Sequence, residues 1–418
     1  MLLEPKLLTV LREGYGADLL RHDAIAGLTV AVVALPLAMA LAIASGVAPA
    51  VGLWTAIVAG FLISALGGSR VQVGGPTAAF IPVVAAVVQA HGMGGLVLCT
   101  LLAGLLLVAA GIARVGVFVR RIPQAVIVGF SAGIAVSIVS SQVRDALGLQ
   151  MDPVPASFIA RWQAYAAHAG EATFAAIALT SLALAIIIAM RRWRPRWPGF
   201  LVAALACTAL AIALPGADTL GSRFGELPRT LPAIAFPHIP FERTLELLPA
   251  SLTIAFLAGI ESLLSAVVAD KLTGNRHRAS AELVAQGVAN IGSALIGGLP
   301  ATGAIARTAT NVRAGARTPV AGMLHALFLA LFLLLFAPWM GHVPLAALSA
   351  ILLVVAWNIS EHAHFRQLLR APSADTLVML ATFVLTVVAD LTIAILVGVG
   401  LSLAISALRH ARRPEVLP

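Results

Sequence analysis

Gly74-Gly75-Pro76-Thr77-Ala78-Ala79-Phe80 has a counterpart 224 residues later, Gly298-Leu299-Pro300-Ala301-Thr302-Gly303-Ala304. Each stretch is a glycine-rich break, then a proline, then small residues that open an apolar helix. Both sit in a chain that is apolar nearly throughout. Of 418 residues, 60% are hydrophobic and 11% charged, and the mean hydropathy is +0.99. A soluble surface carries roughly a quarter or more charged residues, so most of this chain faces lipid or other buried helices. The two breaks therefore interrupt membrane-crossing helices, each of which takes about 20 apolar residues to cross the hydrocarbon core.

Outward from the breaks, the apolar runs place fourteen spans near 24–44, 50–67, 76–90, 94–113, 122–143, 172–190, 197–214, 249–270, 282–297, 301–314, 318–337, 345–357, 374–389 and 391–408. The sequence thus predicts an all-α polytopic membrane protein. A loop at 215–248, rich in proline and mixed charge, joins two halves of seven spans, 24–214 and 249–408. Seven is odd, so the second half enters from the opposite side of the membrane and the halves form an inverted repeat. The broken third and tenth spans then become half-helices pointing at each other near the midplane. Proline suits the first turn of a helix, where its missing N–H is no loss. The N–H groups that follow stay unpaired and carry the positive end of the helix dipole. Two such ends facing one another make an anion site with little side-chain help. The plainer alternative is a pair of broken helices packed for shape. Recurrence at matching positions favours binding.

The net charge of +9 suggests nucleic acid until its placement is considered. With a cytoplasmic N-terminus, 21 of the 27 Lys and Arg residues fall on the cytoplasmic side and five outside, with Arg307 left inside a span. That bias orients the chain with both termini cytoplasmic, so the excess charge is topogenic and no nucleic-acid partner is expected. Cys99 and Cys207 lie in apolar runs, which excludes a disulfide scaffold and a cysteine metal site. Residues 1–23 carry four acids and three bases around short apolar stretches. They do not resemble a cleaved leader and are expected to form a short helix on the cytoplasmic face.

Charge inside the membrane is costly and usually functional. Arg307 falls about seven residues into the second half-helix, Glu261 in the middle of the eighth span, His325 in the eleventh, and Asp390 between the last two. Glu261 and Ser265 are four apart and share a helix face. A carboxylate and hydroxyl so placed can hold Na⁺, or the carboxyl can carry a proton. The competing reading is a Glu261–Arg307 ion pair that only ties helices together. A purely structural pair is expensive to bury, and this one lies beside the expected site, so function is favoured. Arg307 then attracts the anion or serves as its fixed counter-charge. His325 reads as a helix-packing histidine. The 224-residue offset sets Leu37 against Glu261, so one carboxylate serves any coupling. Glu361-His362-Ala363-His364 is the nearest thing to a metal or catalytic cluster, but histidines two apart do not share a helix face. No nucleotide-binding loop is present, and neither an enzyme nor an ATP-driven pump is expected.

Longer motifs surround these residues: Ala26-Gly27-Leu28-Thr29-Val30-Ala31-Val32-Val33-Ala34-Leu35-Pro36, Gly52-Leu53-Trp54-Thr55, Ala65-Leu66-Gly67-Gly68-Ser69-Arg70, Val268-Ala269-Asp270, Gln286-Gly287-Val288-Ala289-Asn290 and Pro300-Ala301-Thr302-Gly303-Ala304-Ile305-Ala306-Arg307-Thr308-Ala309-Thr310-Asn311. Together with Gly75-Pro76-Thr77 they resemble the SulP family of anion permeases, which includes bacterial sulfate, bicarbonate and dicarboxylate carriers. The resemblance implies the uracil-permease-like fold of fourteen spans in a seven-plus-seven inverted repeat. Spans 1–4 and 8–11 would form a core domain, and spans 5–7 and 12–14 a gate domain. It places an anion site at Thr77, Ala78, Ala79, Phe80, Ala301, Thr302 and Gly303, with Arg307 nearby. It matches Glu261 and Ser265 to an acid and hydroxyl that hold Na⁺, with no other metal and no cofactor beyond a coupling Na⁺ or H⁺.

The function implied is secondary active transport of sulfate, bicarbonate or a dicarboxylate by an elevator movement, as symport, across a bacterial inner membrane. A homodimer in the bilayer is compatible with it. Two departures stand out. Many members carry Glu or Gln where Leu37 stands, and most end in a cytoplasmic STAS domain, whereas only a short tail, 409–418, follows the last expected span here. An uncoupled exchanger or channel would use the same site. A nucleobase permease shares the fold but reads its base with acids on the eighth and tenth spans, and here the tenth carries Arg307 and no acid.

Overall fold

A chain this apolar must satisfy its backbone polar groups within itself, which at membrane depth means helices. The computed structural model describes residues 3–116, 123–151, 154–155, 157–195, 197–230, 241–370, 374–389 and 391–411. The first half comprises α1 (Lys6–Glu13), α2 (Ala17–Ala44), α3 (Pro49–Leu66), α4 (Ile81–Ile112), α5 (Gln124–Leu147), α6 (Phe158–Ala167), α7 (Phe174–Trp193) and α8 (Gly199–Ala211). The second comprises α9 (Leu220–Phe224), α10 (Thr244–Thr273), α11 (Ala279–Leu295), α12 (Ile305–Arg313), α13 (Val320–Met340), α14 (Leu345–Ile359), α15 (His362–Arg370), α16 (Ala374–Val388) and α17 (Leu391–Ala411). Every expected span coincides with a helix. The third and fourth share α4, which breaks at Gly92 (φ 64°, ψ −165°), a backbone region open to glycine and strained for other residues. The short helices α6, α9 and α15 lie where loops or span ends were expected. Asp390 is outside the described residues.

The two breaks differ from expectation in one respect. Neither Pro76 nor Pro300 stands in the first turn of a helix. A 3-10 turn begins at Ala78 and runs into α4, and α12 begins only at Ile305. A proline drives the residue before it away from helical geometry, so both segments run extended instead. Gly74–Gly75 (β1) pairs antiparallel with Thr302–Gly303 (β2), Gly74 opposite Gly303 and Gly75 opposite Thr302. This short ladder satisfies backbone groups that a membrane interior cannot, and it joins the two repeats at their breaks.

The helices pack as two bodies. In one, α2, α3, α4, α10, α11, α12 and α13 contact one another, which covers the spans of the implied core. In the other, α5 packs on α14 and α16, α7 on α8 and α14, and α16 on α17. The bodies meet where α2 lies against α8 and α14 and where α10 touches α17. The α4–α11 crossing is close because glycines face each other. A Cβ on Gly287 would meet Gly104 O at 2.6 Å and Val108 N at 2.7 Å. Small residues of this kind are how membrane helices bring their backbones together.

Two buried acids that sequence reasoning did not single out fasten the ends of the first body. Glu282 accepts from Gly68 N (2.9 Å), Ser69 N (3.2 Å) and Gln286 Nε2 (2.7 Å). Asp23 accepts from Arg317 N (2.9 Å), Thr318 N (3.1 Å), the Thr318 hydroxyl and Tyr15 OH (3.2 Å). Burial, and then the neighbouring Asp23 charge, push the Tyr15 phenol up to about 12. The N-terminal helix α1 is tied to the same body: Lys6 N donates to Gly67 O at 2.9 Å, Arg278 Nη1 to Glu4 O at 2.9 Å, and Glu13 pairs with Arg70.

Candidate functional site

The α12 start follows directly from β2. Thr308 N is the first amide to donate back along the helix, to Ala304 O at 2.9 Å. The amides of Ile305, Ala306 and Arg307 precede it and have no partner within the helix. Ala304, Ile305, Ala306 and Arg307 line a cavity of about 640 Å³. Pro76, Thr77, Ala78 and Ala79, which lead into α4 through the 3-10 turn, line the same cavity. Two helix beginnings from opposite repeats thus border one space, and the positive ends of their dipoles act on it together. Most of the remaining wall is apolar, including Leu37 and Leu41 from α2, Phe130 and Ile134 from α5, and Phe256 and Ile260 from α10.

Arg307 is 3% exposed. Its guanidinium donates to Pro76 O at 3.1 Å and, at the long limit of 3.5 Å, to Gly74 O. It therefore braces the first break from the second repeat and leaves its charge on the cavity wall. Glu261, from the middle of α10, also lines the cavity and accepts a hydrogen bond from Thr77 Oγ1 at 2.9 Å. Glu261 and Arg307 form no ion pair with each other among the described residues. The carbonyls freed by the Gly-Pro break take the arginine, and the threonine hydroxyl takes the acid. Both charges stay on the wall of one cavity without cancelling by contact.

The other expected site residues lie behind this wall. Ser265 is fully buried and donates to Thr308 Oγ1 at 3.0 Å, and that oxygen also accepts from Val73 N at 3.1 Å. Four residues of helix separate Glu261 and Ser265 by about 6 Å along the axis, which brings Ser265 level with Thr308, and neither of these two lines the cavity. Ala301 exchanges hydrogen bonds with Asn290, its N to Oδ1 at 2.9 Å and its O from Nδ2 at 2.8 Å. Thr302 Oγ1 donates to Ala258 O at 2.8 Å, and Gly303 sits in the ladder. Phe80 is 2% exposed in the core. The structure thus brings Thr77, Ala78, Ala79, Glu261 and Arg307 together, and places Phe80, Ser265, Ala301, Thr302 and Gly303 as their support. Asn290, Thr308 and the α12 start at Ile305–Ala306 are additions. Asn290 and Thr308 stand in the quoted motifs, but nothing in a single sequence says which backbone they reach.

His325 is fully buried in α13, and neither of its ring nitrogens has a hydrogen-bond partner among the described residues. His362 stacks on Trp357 with ring centroids 4.9 Å apart, and His364 Nδ1 lies 3.4 Å from Glu361 Oε2. No group of three or more His, Cys, Asp or Glu side chains that could hold a metal ion occurs among the described residues.

The sulfate permease family matches residues 20–382. This chain belongs to the sulfate permease family. It is 43% identical over 392 residues to the putative sulfate transporter YvdB of Bacillus subtilis, covering 93% of this chain and 74% of that one. It is 34% identical over 388 residues to the bicarbonate transporter BicA of Synechocystis, covering 91% and 68%. Among solved structures, the transmembrane domain of a cyanobacterial bicarbonate transporter BicA aligns with a TM-score of 0.83 at 32% identity, over 91% of this chain and 98% of that one. SLC26A9 aligns with a TM-score of 0.88 at 16% identity, over 97% of this chain and 68% of that one, and shares its fold. The apolar helices and the family together make this member a multi-pass membrane protein. Its relatives are named as transporters, not enzymes.

Proposed function

We propose that this protein is a secondary active transporter of a small anion (sulfate, bicarbonate or a dicarboxylate), coupled to Na⁺ or H⁺ through Glu261. One observation carries the proposal: a single cavity bordered by the helix beginnings of both repeats, with Arg307 and Glu261 on its wall and Glu261 bonded to Thr77. The N–H groups at the start of α12 and after Thr77 supply donors for oxyanion oxygens, as helix N-termini do elsewhere. Arg307 supplies the fixed positive charge. An ionised Glu261 opposes an anion in the same space. Two unit charges about 6 Å apart at an effective dielectric of about 20 interact by about 3 kcal/mol, roughly a hundredfold in affinity. A proton or Na⁺ at Glu261 removes that repulsion, so cation and anion bind together. Thr77 carries the effect directly, because it donates to Glu261 and heads the first half-helix.

The cavity reaches Arg191, Pro195, Trp197 and Glu361, on the side that the Lys and Arg excess assigns to the cytoplasm. In this reading the structure is open inward, with both termini cytoplasmic in a bacterial inner membrane. The body carrying Arg307 and Glu261 slides against the other as an elevator. The choice among anions rests on the relatives, one named for sulfate and one for bicarbonate. A second reading, downhill exchange or channel-like flux, is favoured by Leu37, an apolar residue in the cavity wall that leaves Glu261 as the acid beside the two helix starts. The test is uptake of radiolabelled sulfate, bicarbonate and fumarate into proteoliposomes. Saturable uptake of one of them, competed by the same unlabelled anion, is expected. Absence of saturable flux for all three rejects the proposal.

A further inference from the structure

We infer that Arg191 and Asn358 form a second anion-binding station at the mouth of the cavity, which receives the anion before it reaches the helix beginnings. The inference rests on the transport reading above. Arg191 stands in the last turn of α7 beside Arg192 and near Arg194, and all three are exposed, as is Asn358. All three lie on the arginine-rich side, where topology alone accounts for positive charge. Arg191 differs from its neighbours in two ways. It lines the cavity, as does Asn358 from the end of α14, and its Nη1 donates to Asn358 Oδ1 at 3.0 Å. Topology is set by counting charge, and it requires no such fixed partner on another helix.

The partner is neutral, so the charge of Arg191 is not cancelled. No carboxylate pairs with it among the described residues, and the acid at the mouth, Glu361, lies against His364. A guanidinium has five N–H donors in a planar fork, and Asn358 occupies one. With its oxygen engaged, Asn358 has its amide N–H groups to offer. An ion with two or more oxygens in a plane, such as a carboxylate or bicarbonate, or with paired oxygens, such as sulfate, matches that fork.

Among the described residues, the cations lining the cavity are Arg191 and Arg307. They belong to different bodies, Arg191 to the one holding α7 and α14, and Arg307 to the one holding α10 and α12. Between them the wall is largely apolar, which penalises an anion that leaves water without a donor to meet it. A charge at the entrance of a low-dielectric cleft concentrates anions there and speeds their capture. The station stays with its body while the helix beginnings move with theirs, so the anion passes from Arg191 to Arg307.

Two measurements on the intact protein test this. In proteoliposomes with the anion supplied from the Arg191 side, Arg191→Gln is expected to raise the apparent KM for sulfate or bicarbonate about tenfold. Its Vmax should stay near wild type, and the dependence of Vmax/KM on ionic strength should flatten. Arg191→Lys should restore the salt dependence and part of the affinity. The second measurement does not need transport. Trp197 lines the same mouth, so a protein retaining it as sole tryptophan reports local anions through iodide quenching, with neutral acrylamide as the control. Arg191→Gln should lower iodide quenching several-fold and leave acrylamide quenching unchanged. That result in a protein without anion flux would keep the station while removing the transport reading. Unchanged iodide quenching in a folded Arg191→Gln protein, with unchanged KM where flux exists, overturns the inference.

Discussion

Thr77, Glu261 and Arg307 divide the work of one small space. Removing the Thr77 hydroxyl takes away a hydrogen bond to a charged group, worth about 1.5–3 kcal/mol. Thr77→Val is therefore expected to shift the Na⁺ or H⁺ concentration that gives half-maximal uptake by roughly ten- to a hundredfold. Unchanged ion dependence would place the coupling elsewhere. Arg307 both lines the cavity and braces Pro76. Arg307→Ala should raise the anion KM at least about tenfold and lower the melting temperature, whereas Arg307→Lys should recover more of the charge effect than of the fork geometry. Wild-type affinity in folded Arg307→Ala would confine this residue to structure. At this scale the sequence was informative where chemistry was rare. A lone acid and a lone arginine inside apolar spans stand out without any structure. Thr77 stood out as part of a break, but its bond to Glu261 crosses 184 residues, and no periodicity reports such a contact.

The helices themselves were legible because each apolar run is long enough to need one, and because Gly92 and the Gly-Pro breaks interrupt the runs. The extended pairing at those breaks was not. Small residues after a proline suit a helix start or an extended segment equally, and the ladder partner of Gly74–Gly75 lies in the other repeat. The same shift of the helix start explains Ser265. With α12 beginning at Ile305, Thr308 comes level with Ser265 and takes its hydroxyl. Ser265→Ala is thus expected to lower stability by about 1 kcal/mol with little change in ion dependence. Lost ion dependence at unchanged thermal stability would return Ser265 to the cation site. The α4–α11 crossing gives a separate test of packing. Gly287→Val forces a side chain into Gly104 O and Val108 N. It should cost about 1–3 kcal/mol or more, seen as a lower melting temperature in detergent, and unchanged stability would contradict the close approach.

At the scale of the whole molecule, two helix bodies enclose one cavity, and the proposed transport moves one body against the other. A cysteine pair bridging α2 and α14, on opposite sides of the contact between bodies, should stop transport when oxidised and release it when reduced. A bridge between α4 and α11, within one body, should leave transport intact. Undiminished flux with the α2–α14 bridge closed would rule out the elevator. The two-body division was legible only through family resemblance, since the packing of α5 with α14 and α16 joins segments from opposite halves. The central claim is that Glu261 couples a cation to anion uptake. Its most direct measurement is the accumulation of radiolabelled sulfate, bicarbonate and fumarate in proteoliposomes under an imposed Na⁺ gradient, an imposed H⁺ gradient, or none, for wild type and Glu261→Gln. The expected result is that one anion concentrates under one gradient in wild type, and that Glu261→Gln remains folded and equilibrates it without concentrating it. Concentration by the Glu261→Gln protein, or only downhill flux in wild type, would contradict the claim.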